Sequence, residues 1–198
     1  LSQMKQIVFS THNENKLNEI KKILSDNFKI LGLVDLNFND EIIESGKTLA
    51  QNADIKASHI NKLYNIDCFA DDTGLEIDSL NGEPGVYSAR YAGDECSSEK
   101  NIEKVLNRLS NKKCRKAVFK TVICLVFSNE KYFFEGKVYG SISSKRMGKQ
   151  GFGYDPIFIP NGFNKTFSQM SMEEKNKISH RAIAVEKLSK FLYSRVTT

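Results

Sequence analysis

Cys68-Phe69-Ala70-Asp71-Asp72-Thr73-Gly74-Leu75-Glu76-Ile77 is the stretch that decides the fold. An apolar run meets two adjacent carboxylates, and Leu75-Glu76-Ile77 then resumes the alternation of a strand. The reading expects one strand to end at the carboxylates. Upstream, the Glu44-Ser45-Gly46 turn leads to Thr48, a suitable N-cap for a helix with Leu49, Ala53, Ala57, Ile60 and Tyr64 on one face and Gln51, Asn52, Lys56 and His59 on the other. Further back, Gln6 to Ser10 reads as a strand, Leu17, Ile20, Leu24 and Phe28 as a helix stripe, and Lys29 to Leu33 as a second strand.

Downstream, a Gly- and Pro-punctuated loop runs through Gly93, and Ile102, Val105, Leu106 and Leu109 mark another helix. Ala117 to Phe127 is the longest β-rich run, with Tyr132 to Tyr139 as its hairpin partner. Ser171 and Glu174 form a capping box, and Ala184, Leu188 and Leu192 mark a final amphipathic helix. Interleaved helices and strands predict an α/β fold with a mixed sheet.

A chain of 198 residues with 40% hydrophobic residues suits one domain, read here as 4–198, with residues 1–3 an added or native N-terminal extension before Met4. Lys and Arg number 29 against 24 Asp and Glu; the net charge of +5 suits a nucleotide as well as a nucleic acid. Cys68, Cys96, Cys114 and Cys124 show no Cys-x-x-Cys spacing, as expected of a reducing cytoplasm. No apolar run approaches the ~20 residues of a membrane span, so neither a membrane nor a secretory location is expected.

Four segments carry chemistry. Thr11-His12-Asn13-Glu14-Asn15-Lys16 lies between a strand end and a helix start, where backbone N–H groups, short polar side chains and a lysine can hold phosphate oxygens; a turn with an N-cap would use the same residues. Asp71 and Asp72 repel each other unless a cation or solvent intervenes, and oxygen ligands suit magnesium; a solvated turn stabilised by Gly74 is the alternative. In Gly151-Phe152-Gly153-Tyr154-Asp155-Pro156 the glycines can expose an aromatic ring to a base, or the ring can enter the core. Lys175 and the Ser179-His180-Arg181 run supply donors for a phosphate or a base edge, or form a solvated helix start.

Together and in this order the segments resemble the inosine triphosphate pyrophosphatase family. The resemblance rests on Ser10 to Lys16, on Glu44 twelve residues before Lys56, and on Ala70 to Leu75. Gly85-Val-Tyr-Ser-Ala-Arg-Tyr-Ala-Gly93, Gly151 to Pro156 and Ser179 to Arg181 complete it. It implies an elongated mixed sheet flanked by helices, two lobes with a central substrate cleft, and a homodimer. The implied reaction converts an abnormal purine nucleoside triphosphate (inosine, deoxyinosine or xanthosine triphosphate) with Mg2+ into the monophosphate and pyrophosphate. By resemblance, Thr11, Asn13 and Lys16 bind phosphates, with His12, Glu14 and Asn15 in the same loop, and Lys56 adds catalytic charge. Asp72 is implied as catalytic carboxylate and metal ligand, Glu44 as second ligand, and Thr73 as a substrate contact. Phe152 stacks on the base, flanked by Gly153 and Tyr154, while Asp155, Lys175, His180 and Arg181 line the base and sugar pocket. His12 stands where many relatives carry glycine, which restricts the loop backbone.

No Ser-His-Asp or Cys-His arrangement is evident, so direct attack by water is expected. The rivals are a house-cleaning pyrophosphatase for modified pyrimidine nucleotides and a non-catalytic nucleotide-binding or nucleic-acid-binding module. The latter has no need of Glu44, Asp71 and Asp72 beside a phosphate site. The sequence leaves open whether Asp71 ligates the ion or only supports Asp72.

Overall fold

Side-chain alternation along three strands organises the first half of the molecule. Among the strands of the computed structural model, which describes residues 5–24 and 28–196, β1 (Lys5–Phe9) turns Ile7 and Phe9 to one layer and Val8 to the other. β3 (Cys68–Ile77) sends Phe69 to the first layer and Cys68 and Ala70 to the second, and β4 (Lys116–Phe127) divides Ile123 and Leu125 from Cys124 and Val126 in the same way. Successive side chains on a strand point to opposite faces, so both faces are apolar and both need cover.

Helices provide that cover. α1 (Glu14–Leu24) and α5 (His180–Val196) bury Ile20, Leu24, Ala184, Val185, Leu188 and Leu192 in the first layer. On the other face α2 (Leu49–Tyr64) buries Ala53, Ala57 and Ile60. As the sequence predicts, Thr48 caps α2, its hydroxyl accepting from Gln51 N at 3.2 Å, an interaction worth about 1 kcal/mol. Phe28, expected at the end of a helix stripe, instead begins β2 (Phe28–Leu31) and is buried with Ile30.

β5 (Glu130–Ile142) and β6 (Phe158–Pro160) complete a six-stranded sheet of order β2-β1-β3-β4-β5-β6. β1 runs parallel to β2 and β3 whereas β5 and β6 are antiparallel, which makes the sheet mixed, as expected. The chain divides into two compact units: Leu1–Asp72, Thr121–Gly136 and Arg181–Thr198 form the first, Thr73–Lys120 and Lys137–His180 the second. The second has its own core, in which Ile102 and Val105 of α3 (Ser98–Arg108) join Leu75, Ile77, Phe119, Phe158 and Phe167. It also contains α4 (Met172–Asn176), opened by the expected capping box of Ser171 and Glu174. Residues 1–3 and Met4 lie outside the described residues.

Candidate active site

The expectation that the strand ends at its carboxylates does not hold. β3 continues without a break to Ile77, and Asp71 and Asp72 sit inside it, 1% and 9% exposed. Alternation explains how both are tolerated: Asp71 shares the face of Phe69, under α1 and α5, and Asp72 shares the face of Ala70, under α2. The repulsion that seemed to demand a cation between them is relieved by sending them to opposite sides of one sheet.

Asp71 is the centre of a buried charge network. Lys16 Nζ of α1 donates to Asp71 Oδ1 at 2.9 Å, Arg181 Nε of α5 donates to Asp71 Oδ2 at 3.2 Å, and Arg181 also pairs through Nη1 with Glu19 of α1. Burial alone would raise the Asp71 carboxyl, but Lys16 and Arg181 outweigh it and hold the group well below the usual carboxylate range. Burial likewise lowers the Lys16 ammonium, against the pull of Asp71. Asp71 is therefore a counter-ion for two cations.

Asp72 meets a different set. Asn52 Nδ2 donates to its Oδ2 at 3.1 Å, and Lys56, one turn further along α2, donates from Nζ to Glu44 Oε1 at 3.1 Å. Burial pushes the Asp72 carboxyl above its ordinary value and nearby Glu44 pushes it further, while Lys56 and Lys16 pull it back. Glu44 and Lys56 therefore act on Asp72 in opposite senses. Among the described residues no group of three or more His, Cys, Asp or Glu converges. Glu44 and Asp72 fit magnesium nonetheless, because that ion takes one or two carboxylates and completes its octahedron with water and substrate phosphates.

The 11–16 segment forms a turn with an N-cap. Thr11 Oγ1 accepts from Asn13 N at 3.1 Å and Asn13 Oδ1 accepts from Lys16 N at 3.1 Å, which makes Asn13 the cap of α1. Glu14 and Asn15 are exposed in its first turn. Left-handed backbone at non-glycine positions is confined, among the described residues, to Asn37, Asn65, Asn81, Cys96, Ser128 and Asn129. His12 therefore costs the loop no strain; its ring stacks on Phe38 at 6.0 Å and its Nε2 lies 3.0 Å from Asp40 O.

In the second unit, Asp155 Oδ2 accepts from Phe152 N at 2.9 Å and from Lys175 Nζ at 2.7 Å. The Lys175 ammonium, almost wholly buried, lies 4.8 Å from the centre of the Phe152 ring, a cation–π arrangement. Gly151 permits this clamp, since a Cβ there would stand 2.2 Å from Asp155 Oδ2 at a φ of +75°. His180 stacks on Phe119 with ring centres 4.5 Å apart. Thr73 is half-buried on β3, and Gly153 is half-buried with a φ of 59°. The Tyr154 ring packs in the core with its hydroxyl donating to Ser88 O at 2.8 Å, and burial raises that hydroxyl's pKa. Arg181 follows His180 at the start of α5, and its guanidinium is committed to Asp71 and Glu19.

Glu19 and Asn52 escaped the sequence reading. Glu19 adjoins the core residue Ile20 and follows Lys16 by three positions, and Asn52 precedes Lys56 by four, so helical spacing was the signal available for each. Both are buried, and both hold a carboxylate or its partner.

Fold and site define an α/β protein whose first unit sets a carboxylate pair and two lysines around one strand. The chain belongs to the Ham1 family, whose sequence pattern matches residues 7–191. It is 51% identical to the dITP/XTP pyrophosphatase of Christiangramia forsetii, covering 94% of this chain and 98% of that protein. It is 45% identical to that of Bacillus subtilis, covering 96% and 98%. The Staphylococcus aureus Ham1 protein superposes with a TM-score of 0.87 at 43% identity, covering 96% of this chain and all of that one.

Proposed function

We propose that the protein hydrolyses abnormal purine nucleoside triphosphates, those of inosine, deoxyinosine and xanthosine, to the monophosphate and pyrophosphate, with magnesium as cofactor. The observation that carries the reading is Asp72: a buried carboxylate, raised in basicity, held by Asn52 and facing Glu44 and Lys56, in a chain half identical to proteins named for this activity.

Water attacks the α-phosphorus and the bond to the oxygen bridging to the β-phosphate breaks, so pyrophosphate leaves. Asp72, buried and held in place by Asn52, takes the proton from that water. A magnesium ion bound by Glu44 and Asp72 would disperse phosphate charge and polarise the reacting phosphoryl group. Lys56 and Lys16 add fixed positive charge where negative charge gathers on the leaving group. Thr11 and Asn13 present the N-terminus of α1 to phosphate oxygens. In the second unit Phe152 offers a stacking face for the base, with Lys175 and His180 as donors nearby.

Four free cysteines suit a cytoplasmic location, and no helix among the described residues is long and apolar enough to cross a membrane. A homodimer is part of the same reading, to be checked by light scattering. The test of function is a panel of nucleoside triphosphates with and without Mg2+, resolved by chromatography. Inosine and xanthosine monophosphates with pyrophosphate are expected, only when metal is added. Release of orthophosphate alone, or preference for pyrimidine nucleotides, would overturn the assignment.

A further inference from the structure

Asn52 is buried to 1% exposure, and both ends of its side-chain amide are engaged. Oδ1 accepts from Gly46 N at 2.8 Å, two residues beyond Glu44, and Nδ2 donates to Asp72 Oδ2 at 3.1 Å. Chemistry fixes the amide's orientation: only the oxygen can accept from a backbone N–H, and only the nitrogen can donate to a carboxylate. The fit at Gly46 is close, since a Cβ there would lie 2.5 Å from Asn52 Oδ1 and 2.7 Å from Gln51 Cβ. Gln51 reinforces the lacing, its Oε1 accepting from Lys47 N at 2.7 Å. One turn on, Lys56 reaches Glu44 itself at 3.1 Å. One face of α2 therefore grips Asp72 directly and the Glu44 segment at three points.

We propose that Asn52 is a positioning residue that sets the spacing of the Glu44 and Asp72 carboxylates and so determines how tightly the pair holds a divalent cation. This deepens the magnesium-dependent reading above and rests on it. A single rigid amide ties the strand that carries one carboxylate to the loop that carries the other, so the pair is spaced before any ion arrives. Residues that orient metal ligands without touching the ion typically contribute about 10- to 100-fold to metal affinity. Asn52→Leu keeps the number and branching of the side-chain heavy atoms and deletes both hydrogen bonds. Gly46→Ala leaves Asn52 unchanged but forces the loop away from it, and so tests the same link should the leucine variant fail to fold.

The experiment titrates Mn2+ into full-length enzyme without nucleotide and reads free Mn2+ by electron paramagnetic resonance, for wild type, Asp72→Asn and both test variants. Thermal melts confirm folding. Wild type should bind, Asp72→Asn should lose binding, and Asn52→Leu and Gly46→Ala should weaken it by about 10- to 100-fold. In turnover assays the Mg2+ concentration for half-maximal rate should rise by the same factor. Saturating Mg2+ should restore kcat with the nucleotide KM little changed, which a general loss of structure would not do. No Mn2+ binding by wild type, or equal binding by Asp72→Asn, overturns the metal reading together with this one. Binding that Asp72→Asn abolishes but folded Asn52→Leu and Gly46→Ala both retain at full strength overturns the role of Asn52 alone.

Discussion

Arg181 Nε donates to Asp71 Oδ2 at 3.2 Å, joining the first turn of α5 to the middle of β3 across 110 residues. The guanidinium also holds Glu19, and Asp71 also holds Lys16, so four charges balance in a space from which water is nearly excluded. Removing one member of such a set leaves another buried without compensation, which typically costs about 3–5 kcal/mol. Asp71→Asn is therefore expected to lower unfolding free energy by roughly that amount, measured by urea denaturation.

The adjacent carboxylate should behave in the opposite way. Asp72→Asn keeps volume, can still bond with Asn52, and relieves a charge that burial opposes, so stability should hold or rise slightly. Turnover should fall by about 10²- to 10⁴-fold, the usual cost of a lost general base. Steady-state rates and melting curves on the two asparagine variants check this pair of outcomes. Near wild-type activity in folded Asp72→Asn would remove it from the reaction.

What the sequence made legible, and what it hid, follows from the range of each signal. The caps at Thr48 and Ser171, the strand from Ala117 and the stripe Ala184-Leu188-Leu192 are local patterns, and the structure contains them all. The fate of Asp71 and Asp72 was misread because two polar residues in an apolar run look like a strand end. The distant partners Lys16, Arg181 and Asn52 help to make them tolerable inside a strand, and no window around position 71 contains those. The core position of the Tyr154 ring, two places from half-buried Phe152, was hidden for the same reason, since its partner Ser88 lies 66 residues away.

Charge at the phosphate site should be separable from charge in general. Lys56→Ala is expected to reduce kcat/KM by about 10²-fold, the scale of one lost electrostatic contact to a developing anion. Lys16→Ala should reduce it too and also destabilise, because Lys16 compensates buried Asp71. Lys190, 74% exposed and paired with Glu186 along the surface of α5, serves as control, and its alanine variant should match wild type within about twofold. Equal small effects at all three positions would mean that diffuse surface charge attracts the substrate.

Burial pushes the thiols of Cys68 and Cys124 up from an ordinary 9.0 to about 12, Cys68 with added repulsion from Cys124 and Cys124 with added repulsion from Asp54. A thiol raised in the folded state adds stability that is fully present below the ordinary thiol pKa and is lost as pH climbs toward the folded value. Stability should therefore decline between about pH 9 and 12. A Cys68→Ala/Cys124→Ala variant should show a shallower slope over that interval in denaturant melts. At neutral pH Cys96 and Cys114, both exposed, should react quickly with a thiol reagent, and the buried pair only after unfolding.

Discrimination between inosine and adenosine triphosphates turns on hydrogen-bond polarity, and among Lys175, His180 and Arg181 the donor to test first is Lys175. Hypoxanthine presents a 6-oxo acceptor and an N1–H donor, whereas adenine presents a 6-amino donor and an N1 acceptor. Lysine can only donate, so near the 6-position it suits the oxo purine and mismatches adenine. Lys175 Nζ lies 4.8 Å from the centre of the Phe152 ring, the proposed stacking face, while two nitrogens of Arg181 engage Asp71 and Glu19 in the first unit. Lys175→Met alone would strand the Asp155 carboxylate that its ammonium balances at 2.7 Å, so the variant to make is Lys175→Met/Asp155→Asn, which removes both charges together. A site built to hydrogen-bond its substrate can reject a mismatched analogue by about 10⁴-fold, and loss of its donor should compress the ratio of kcat/KM between the two nucleotides by at least about 10²-fold. Arg181→Lys keeps a cation against Asp71, and should lower both rates while leaving their ratio alone. Steady-state kinetics on both nucleotides in the three proteins decide the matter: an unchanged ratio in the double variant, or a compressed one in Arg181→Lys, would return base recognition to Arg181.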